Sequence, residues 1–282
     1  MRIIVTVVAV ALLLLAACTG NRIQPSEAGD VSDSIADTLS RDTVRPDTME
    51  LLIAETPMPV TADELFDDFL FNFAANPRLQ MERIRFPLKV KGEEGDEVIA
   101  RGDWQTEHFF MRQGYYTLLL DDERQVEQVK NTQVDRVIIE KIFLDQGRVR
   151  QFLFSRVGGL WVMMSINVTP LADNANADFL QFYEQFATDS AFQASSLNPI
   201  VEFSGPDPDN EDSLMEGIIT DDTWPAFAPE LPAHTIYNIV YGQPAASTEK
   251  KVFMVRGISN GQELTLTFKR KEGRWKLTKL ST

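Results

Sequence analysis

One pattern of glycine, phenylalanine, arginine and tryptophan occurs twice in this chain of 282 residues, at a spacing of 114 residues. The two copies are Gly147, Phe154, Arg156, Gly159 and Trp161, and Gly261, Phe268, Arg270, Gly273 and Trp275. The glycines suit hairpin turns, which need positive φ, and the residues between them alternate as in a strand. The repeat therefore predicts two related units. Each should end in three antiparallel strands, at 134–144, 148–156 and 160–167 and at 250–258, 262–270 and 274–280.

Helical patterns precede the strands in both halves. Apolar residues recur at helical spacing, in sets that comprise Leu65, Phe66, Phe69, Leu70 and Phe73, and Phe179, Phe182, Tyr183 and Phe186. The segment from Thr61 to Glu64 has the form of a capping box, with Thr61 as the predicted N-cap residue. A short second helix is predicted after each first one, near residues 78–84 and 190–196.

The first eighteen residues have the form of a lipoprotein signal peptide. Arg2 is followed by an apolar run from Ile3 to Ala17, and the run ends in Leu-Ala-Ala-Cys18. This run is shorter than the roughly 20 residues that span a bilayer as a helix. Its end is similar to the lipobox of bacterial lipoproteins, in which the cysteine thiol receives a diacylglyceryl group. We therefore expect lipidation at Cys18, and an ordinary secretory signal is the alternative. Because Thr19 and not Asp follows the cysteine, the outer membrane is the expected location.

Residues 19–60 are predicted to be an acidic, disordered tether, because large apolar residues are sparse there and acidic residues outnumber basic ones. Four triplets of Asp, a hydroxyl residue and an aliphatic residue occur within it. They resemble the O-glycosylation sequon of Bacteroidetes envelope proteins. The acceptor positions would be Ser34, Thr38, Thr43 and Thr48. A low-complexity acidic spacer without glycans is the alternative.

Helices followed by a curved antiparallel sheet, in about 110 residues, resemble the nuclear transport factor 2-like fold, a cystatin-like α+β cone. With the Phe-x-Arg-x-x-Gly-x-Trp endings and the lipobox, the chain resembles a Bacteroidetes lipoprotein family of unknown function with that fold. The resemblance implies an α+β fold of two tandem units, at 61–170 and 171–282, and a place in the cell envelope. It implies no activity.

Charge and composition exclude several kinds of function. The formal net charge of −15 repels nucleic acid and anionic lipid surfaces, so membrane contact is expected through the lipid alone. Cys18 is the one cysteine, so its lipidation leaves no thiol for a disulfide or a zinc–thiolate site. The two histidines, His108 and His234, do not belong to a clustered ligand pattern. No metal and no cofactor are therefore predicted.

Two short segments could contribute to a pocket. They contain Asp103, Trp104 and His108 in the first half, and Asp222, Trp224 and His234 in the second. A buried carboxylate beside an aromatic ring can have a raised pKa and act as a general base. The alternative is that both aspartates cap turns while both tryptophans fill the core, and the sequence favours this alternative.

The favoured function is a lipid-anchored, non-catalytic module that binds a protein, glycan or small ligand in the envelope. The alternative is a pocket enzyme of hydrolase or isomerase type that uses Asp103 or Asp222 as its base. The outer face of the first predicted sheet adds one further expectation. It carries Leu153, Leu160, Val162 and Met164, so we expect the other half or a partner subunit to cover it.

Overall fold

The computed structural model describes residues 58–93, 95–207, 210–242, 249–258 and 261–282. The predicted signal peptide, Cys18, the tether up to residue 57 and its four candidate glycosylation positions lie outside the described residues. All the described residues belong to one compact unit, Pro46–Thr282. Among them, no helix is both long and apolar enough to cross a membrane.

A pair of helices begins each half of the described chain. These pairs are α1 (Phe66–Ala75) with α2 (Pro77–Arg83), and α3 (Ala177–Thr188) with α4 (Ser190–Ser195), and a fifth short helix, α5, spans Trp224–Phe227. Asn76 and Asp189 separate the members of each pair, and each side chain accepts bonds from the backbone N–H groups two and three residues later. This N-cap geometry explains why the second helix starts abruptly after the first. The predicted helix pairs are confirmed.

The capping box predicted at Thr61 is wrong. Residues Val60–Asp63 form a 3₁₀ turn, and α1 begins only after Leu65, whose side chain makes no capping bond. The physical reason is that the carboxylate of Asp63 is bound by Arg83 and by the backbone N–H of Trp161. These tertiary contacts fix the turn and displace the start of the helix.

Twelve strands form one sheet in the described part of the chain. The first half contributes β1 (Ile84–Gly92), β2 (Gly95–Ile99), β3 (Tyr115–Leu120), β4 (Arg136–Phe143), β5 (Arg148–Val157) and β6 (Leu160–Pro170). The second half contributes β7 (Leu197–Asp207), β8 (Asn210–Ile219), β9 (Thr235–Tyr241), β10 (Lys250–Gly257), β11 (Glu263–Lys271) and β12 (Arg274–Ser281). The six strands predicted from the repeat are confirmed as β4–β6 and β10–β12, with ends that differ by at most three residues.

The order of the sheet is β2-β1-β6-β5-β4-β9-β3-β10-β11-β12-β7-β8. The middle of this order departs from the chain order, because β9 pairs antiparallel with β4 of the first half and β3 pairs antiparallel with β10 of the second. Strands β3 and β9 run parallel to each other and pair at a single position, Thr117 opposite Asn238. Each half of the sheet is thus completed by a strand from the other half, which the sequence pattern did not predict.

Two apolar cores lie on opposite faces of this sheet. The first core contains the apolar side chains of α1, and the second contains those of α3. Successive side chains of a strand point to opposite faces, and the central strands serve both cores. On β10, Val252 and Met254 belong to the first core and Phe253 to the second. We call these two sides the first face and the second face.

The apolar outer side of β5 and β6 is covered only in part. Leu153, Val162 and Met164 are half-buried, and Leu160 is 45% exposed. The expectation of full cover by the other half is therefore not met in the described chain. Its physical reason is the sheet order, because the second half extends the same sheet sideways, and the second core includes Val149 of β5 but none of these four residues.

Candidate ligand-binding site

A pocket of about 840 Å³ opens on the second face of the sheet. Val255 on β10 and Leu264 on β11 form part of its wall and are directly opposite each other in the β10–β11 ladder. Tyr115 comes from β3, which pairs with the other edge of β10. Pro206 and Pro229 add further apolar surface. The strand β3, which crosses into the second half of the sheet, therefore contributes to the wall of this pocket.

The polar groups around this pocket are held by contacts of their own. Gln113 donates its side-chain N–H to the backbone oxygen of Tyr115 at 2.8 Å. Glu263 accepts a charged hydrogen bond from Arg256 at 2.7 Å. Burial raises the pKa of the Tyr115 hydroxyl, which therefore stays protonated at neutral pH. Of the described residues that line the pocket, none is Asp, His or Cys.

A smaller pocket, of about 310 Å³, lies where β3 and β9 diverge after their single point of pairing. Its walls contain the last residues of both strands and the polar side chains of Asp121, Gln125, Gln128 and Asn176. Lys251, which is only 2% exposed, donates to both Asp121 and Asn176.

A chain of buried and half-buried polar groups continues from this pocket into the sheet. The backbone N–H of Asn176 donates to Asn174 at 2.8 Å, and the Asn174 amide donates to Glu140 at 2.8 Å. Glu140 also accepts from Gln151 and from Asn238, at 2.9 and 3.0 Å. Buried polar groups are costly unless they are paired. These groups form hydrogen bonds with one another. We therefore assign them a structural role, which is to hold in place β3 and β9, the strands exchanged between the two halves.

Asp67, in the first turn of α1, is a half-buried carboxylate that sequence reasoning missed. Tyr241 donates a short hydrogen bond to one of its oxygens, and Tyr116 donates to the other at 3.3 Å. Burial raises the pKa of Asp67 more than the two tyrosine hydroxyls lower it. Burial and the neighbouring carboxylate also raise the pKa of Tyr116 and of Tyr241. The two tyrosines come from β3 and β9, the exchanged strands, so no local pattern in the sequence pointed to this group.

The tryptophans singled out in the sequence occupy equivalent places in the two halves. Trp104 donates its ring N–H to Gln80 at 3.0 Å, and Trp224 donates to Gln193 at 2.9 Å. Both glutamines also donate to the backbone near the end of the preceding helix, at Phe73 and Phe186. Each tryptophan thus connects its loop to a helix pair through a hydrogen bond.

The aspartates and histidines singled out with them do not line either pocket described above. Asp103 is exposed at the end of a 3₁₀ turn, and Asp222 is exposed and accepts a short hydrogen bond from Thr220. His108 is half-buried and His234 is exposed. No group of three or more His, Cys, Asp or Glu side chains that could hold a metal ion occurs among the described residues.

Comparison with known proteins supports the fold. An ntf2-like protein from Bacteroides fragilis, known from a crystal structure, is 38% identical to this chain and superposes with a TM-score of 0.73. The match covers 80% of this chain and 98% of that one, so the expectation of a mixed α+β, NTF2-like fold is confirmed. Comparison with curated proteins found no match. The model of a family described as a domain of unknown function, DUF4348, matches residues 45–282. Because this match covers most of its length, the chain belongs to the DUF4348 family.

Proposed function

We propose that this protein is a lipid-anchored envelope protein whose NTF2-like body binds an uncharged, largely apolar ligand without chemical conversion. The observation that carries the proposal is the 840 Å³ pocket on the second face. Apolar walls with a few polar groups at the rim are typical of small-molecule sites. The carboxylates of Glu230 and Glu263 at its rim disfavour an anionic ligand.

The lining of the pocket favours binding over catalysis. General acid–base chemistry needs a titratable side chain within about 3 Å of the reacting group, directly or through one water. Among the described lining residues, the two carboxylates are those of Glu230 and Glu263, and that of Glu263 is engaged by Arg256. The rest of the wall includes Tyr115, Val255 and Leu264. A wall of this composition can hold a ligand and shield it from water.

Replacing Leu264 by Glu is expected to weaken binding of the neutral apolar dye Nile red at least tenfold. Tenfold corresponds to about 1.4 kcal/mol, and the new carboxylate would have to lose water against an apolar ligand. Fluorescence titration of the dye measures the dissociation constant.

The matched control for this change is Leu160→Glu, which alters the same residue type at a position that is 45% exposed and outside the pocket. It should bind the dye as the unaltered chain does. An equal loss in the two variants, or no saturable binding by the unaltered chain, would contradict the proposed site.

We also propose that the two halves arose by duplication of one NTF2-like unit. The pairing of β5 with β6 shifts register between Leu153 and Phe154, and the pairing of β11 with β12 shifts between Thr267 and Phe268. These shifts occur 114 residues apart, which is the spacing of the sequence repeat. The paired N-caps and the paired Trp–Gln hydrogen bonds support the same origin.

The membrane anchor is proposed from the sequence. Replacing Cys18 by Ser should move the protein from the membrane fraction to the soluble fraction and should abolish incorporation of labelled fatty acid, because the thioether bond requires a thiol. More than one acyl chain is needed for stable attachment. Fractionation of cells that express each form measures this. A serine variant that stays in the membrane fraction would refute lipid anchoring.

Glycans on the tether, at Ser34, Thr38, Thr43 and Thr48, form a separate proposal that rests on the four sequence triplets. Mass spectrometry of the native tether should show glycopeptides. If the tether has the mass of the unmodified peptide, it is an acidic spacer without glycans.

A further inference from the structure

A group of cations lies at one end of the first face, where the first core stops. Ile139 on β4 and Phe152 on β5 are directly opposite each other and fully buried in that core. Two residues further along the same face, Lys141 is opposite Arg150, and two residues beyond that, Phe143 is opposite Arg148. We call Lys141, Arg148 and Arg150 the basic cluster.

Neighbouring strands place aromatic and apolar groups beside this cluster. Tyr237 on β9 is opposite Lys141, and its ring centroid lies 5.2 Å from Lys141 Nζ. Arg150 Cζ lies 5.3 Å from the ring centroid of Phe152, and Arg148 Cζ lies 5.7 Å from that of Phe143. The ring beside the guanidinium group of Arg150 holds it in place and limits its access to water, whereas Arg148 is exposed and also donates to Gln146 at 3.3 Å.

Within the described part of the chain, contacts balance the charge of the basic cluster only in part. Glu107 accepts from Lys141 Nζ at 3.4 Å and from the hydroxyl of Tyr237 at 3.3 Å. Burial and Glu107 raise the pKa of Tyr237, while the charges of Arg150 and Arg112 act in the opposite direction. Three cations, Lys141, Arg112 and Arg150, therefore act on the Glu107–Tyr237 pair, and of these Lys141 is within salt-bridge distance of the carboxylate, in a chain whose net charge is −15.

Two features of Arg150 make the arrangement costly for folding. Like charges directly opposite each other on neighbouring strands are destabilising, and Lys141 is only 23% exposed, so water screens the pair incompletely. In addition, Arg150 Nε is buried and has no hydrogen-bond partner among the described residues. An unpaired buried donor costs stability unless a further group pairs with it.

The second half offers a useful comparison. Lys269 on β11 is opposite both Lys250 and Lys276, so like charges also meet there. However, Lys269 is exposed, and Lys250 lies 3.7 Å from Asp122. Exposed lysines of this kind are screened by water and salt, and they need no ligand to account for them.

We infer that the basic cluster binds the oxyanion group of a small organic acid, either a carboxylate or a phosphate. The guanidinium group of Arg150 can donate two parallel bonds to such a group, and Lys141 adds a compact positive charge. The overall negative charge of the chain gives no long-range attraction for anions, so recognition depends on these local contacts. The basic cluster shares no residue with the apolar pocket, so the two sites can fail or succeed independently.

The positions of the two sites relate them to each other. Lys141 and Arg150 precede Val255 and Leu264 by 114 residues, the spacing of the sequence repeat. Equivalent places in the two halves thus carry cations in one and apolar wall residues in the other. On this basis the first half binds an anion, and the second half binds an uncharged, largely apolar ligand.

The test is a thermal-shift titration of the purified full-length chain with glucuronate, citrate, inorganic phosphate and glycerol phosphate, each against sodium chloride of equal ionic strength. A ligand that binds only the folded state raises the melting temperature with its concentration. We expect a saturable rise with the carboxylates or with the phosphates, and whichever pair acts identifies the oxyanion. Lys141→Gln and Arg150→Gln should each weaken the apparent affinity at least tenfold, and Arg150→Lys should restore part of it.

Lys269→Gln is the matched control, since it removes one lysine from a like-charge row and leaves the basic cluster intact. It should respond to the anion as the unaltered chain does. Without added anion, Arg150→Gln should melt at or above the temperature of the unaltered chain, because repulsion is relieved. Lys141→Gln also loses its contact with Glu107, and a cooperative melting transition shows that it folds. The inference is overturned if no probe raises the melting temperature beyond chloride at millimolar concentration. It is equally overturned if Lys269→Gln loses as much affinity as the cluster variants.

Discussion

Replacing Asp63 by Ala is expected to lower the free energy of unfolding by about 3 kcal/mol, because it leaves a buried guanidinium group without its counter-ion. Both oxygens of Asp63 accept from Arg83 at 2.8 Å, and one also accepts from the backbone N–H of Trp161 at 3.0 Å. The side chains of Asp63 and Arg83 are 8% and 14% exposed. Chemical denaturation monitored by circular dichroism measures the loss.

Asp178→Ala provides the matched control in the second half. Asp178 also binds an Arg–Trp pair, accepting from Arg270 at 2.6 Å and from the ring N–H of Trp275 at 2.8 Å. Its side chain, however, is 65% exposed, so its loss should cost only about 1 kcal/mol. Equal losses at Asp63 and Asp178 would mean that burial does not decide the strength of these ion pairs.

The contribution of Asp63 should also depend on pH. Burial favours the neutral carboxyl, but the hydrogen bonds from Arg83 and Trp161 outweigh it and hold the pKa of Asp63 below its ordinary value of 3.8. A carboxyl whose pKa is lower in the folded state than in the unfolded state stabilises the fold above the unfolded-state pKa. The advantage of the unaltered chain over Asp63→Asn should therefore be full at neutral pH and should shrink as the pH falls below 3.8. A pH-independent difference would contradict this sign.

Local periodicity was enough to predict the repeated elements. The turns at Gly147 and Gly261 both have positive φ, which explains why glycine marked the hairpins correctly. Large apolar residues fall at every second position, as Phe152 and Phe154 and as Leu266 and Phe268, and all four are buried as that alternation predicts. Patterns of this kind depend on neighbours in sequence, so they could be read without the fold.

The sites depend on contacts that no local pattern contains. Tyr115 lines the apolar pocket because β3 leaves its own half, and Tyr241 reaches Asp67 because β9 does the same. In each case the two contacting segments lie more than a hundred residues apart in the chain. Asp103 and Asp222 stood out because each is close in sequence to a tryptophan, yet both are exposed. Sequence proximity to an aromatic ring is therefore a poor guide to a buried base in this fold.

Replacing Phe154 or Phe268 by Ala is expected to lower the free energy of unfolding by about 3–5 kcal/mol in each case. Phe154 is 1% exposed and packs edge-on against Phe66 and Phe73, with ring centroids 5.2 and 5.4 Å apart. Phe268 is fully buried and packs edge-on against several rings of α3, including Phe186 at 5.1 Å. Each truncation would leave a cavity that rigid aromatic neighbours cannot fill. Phe227→Ala, at a position that is 40% exposed, should cost less than about 1 kcal/mol.

The two variants also test whether the exchange of β3 and β9 joins the halves into one cooperative unit. Strand β4 needs β9 as its neighbour and β10 needs β3, so unfolding of either half exposes a strand edge and part of a core in the other. Calorimetry of each variant should therefore show one transition, shifted downward as a whole. Two transitions, with Phe154→Ala lowering one and Phe268→Ala the other, would show that the halves fold independently. In that case the exchange of β3 and β9 would not couple the unfolding of the two halves. A single transition would show that the stability of both proposed ligand sites depends on the whole sheet, whose centre includes the hydrogen bond between Glu140 and Asn238.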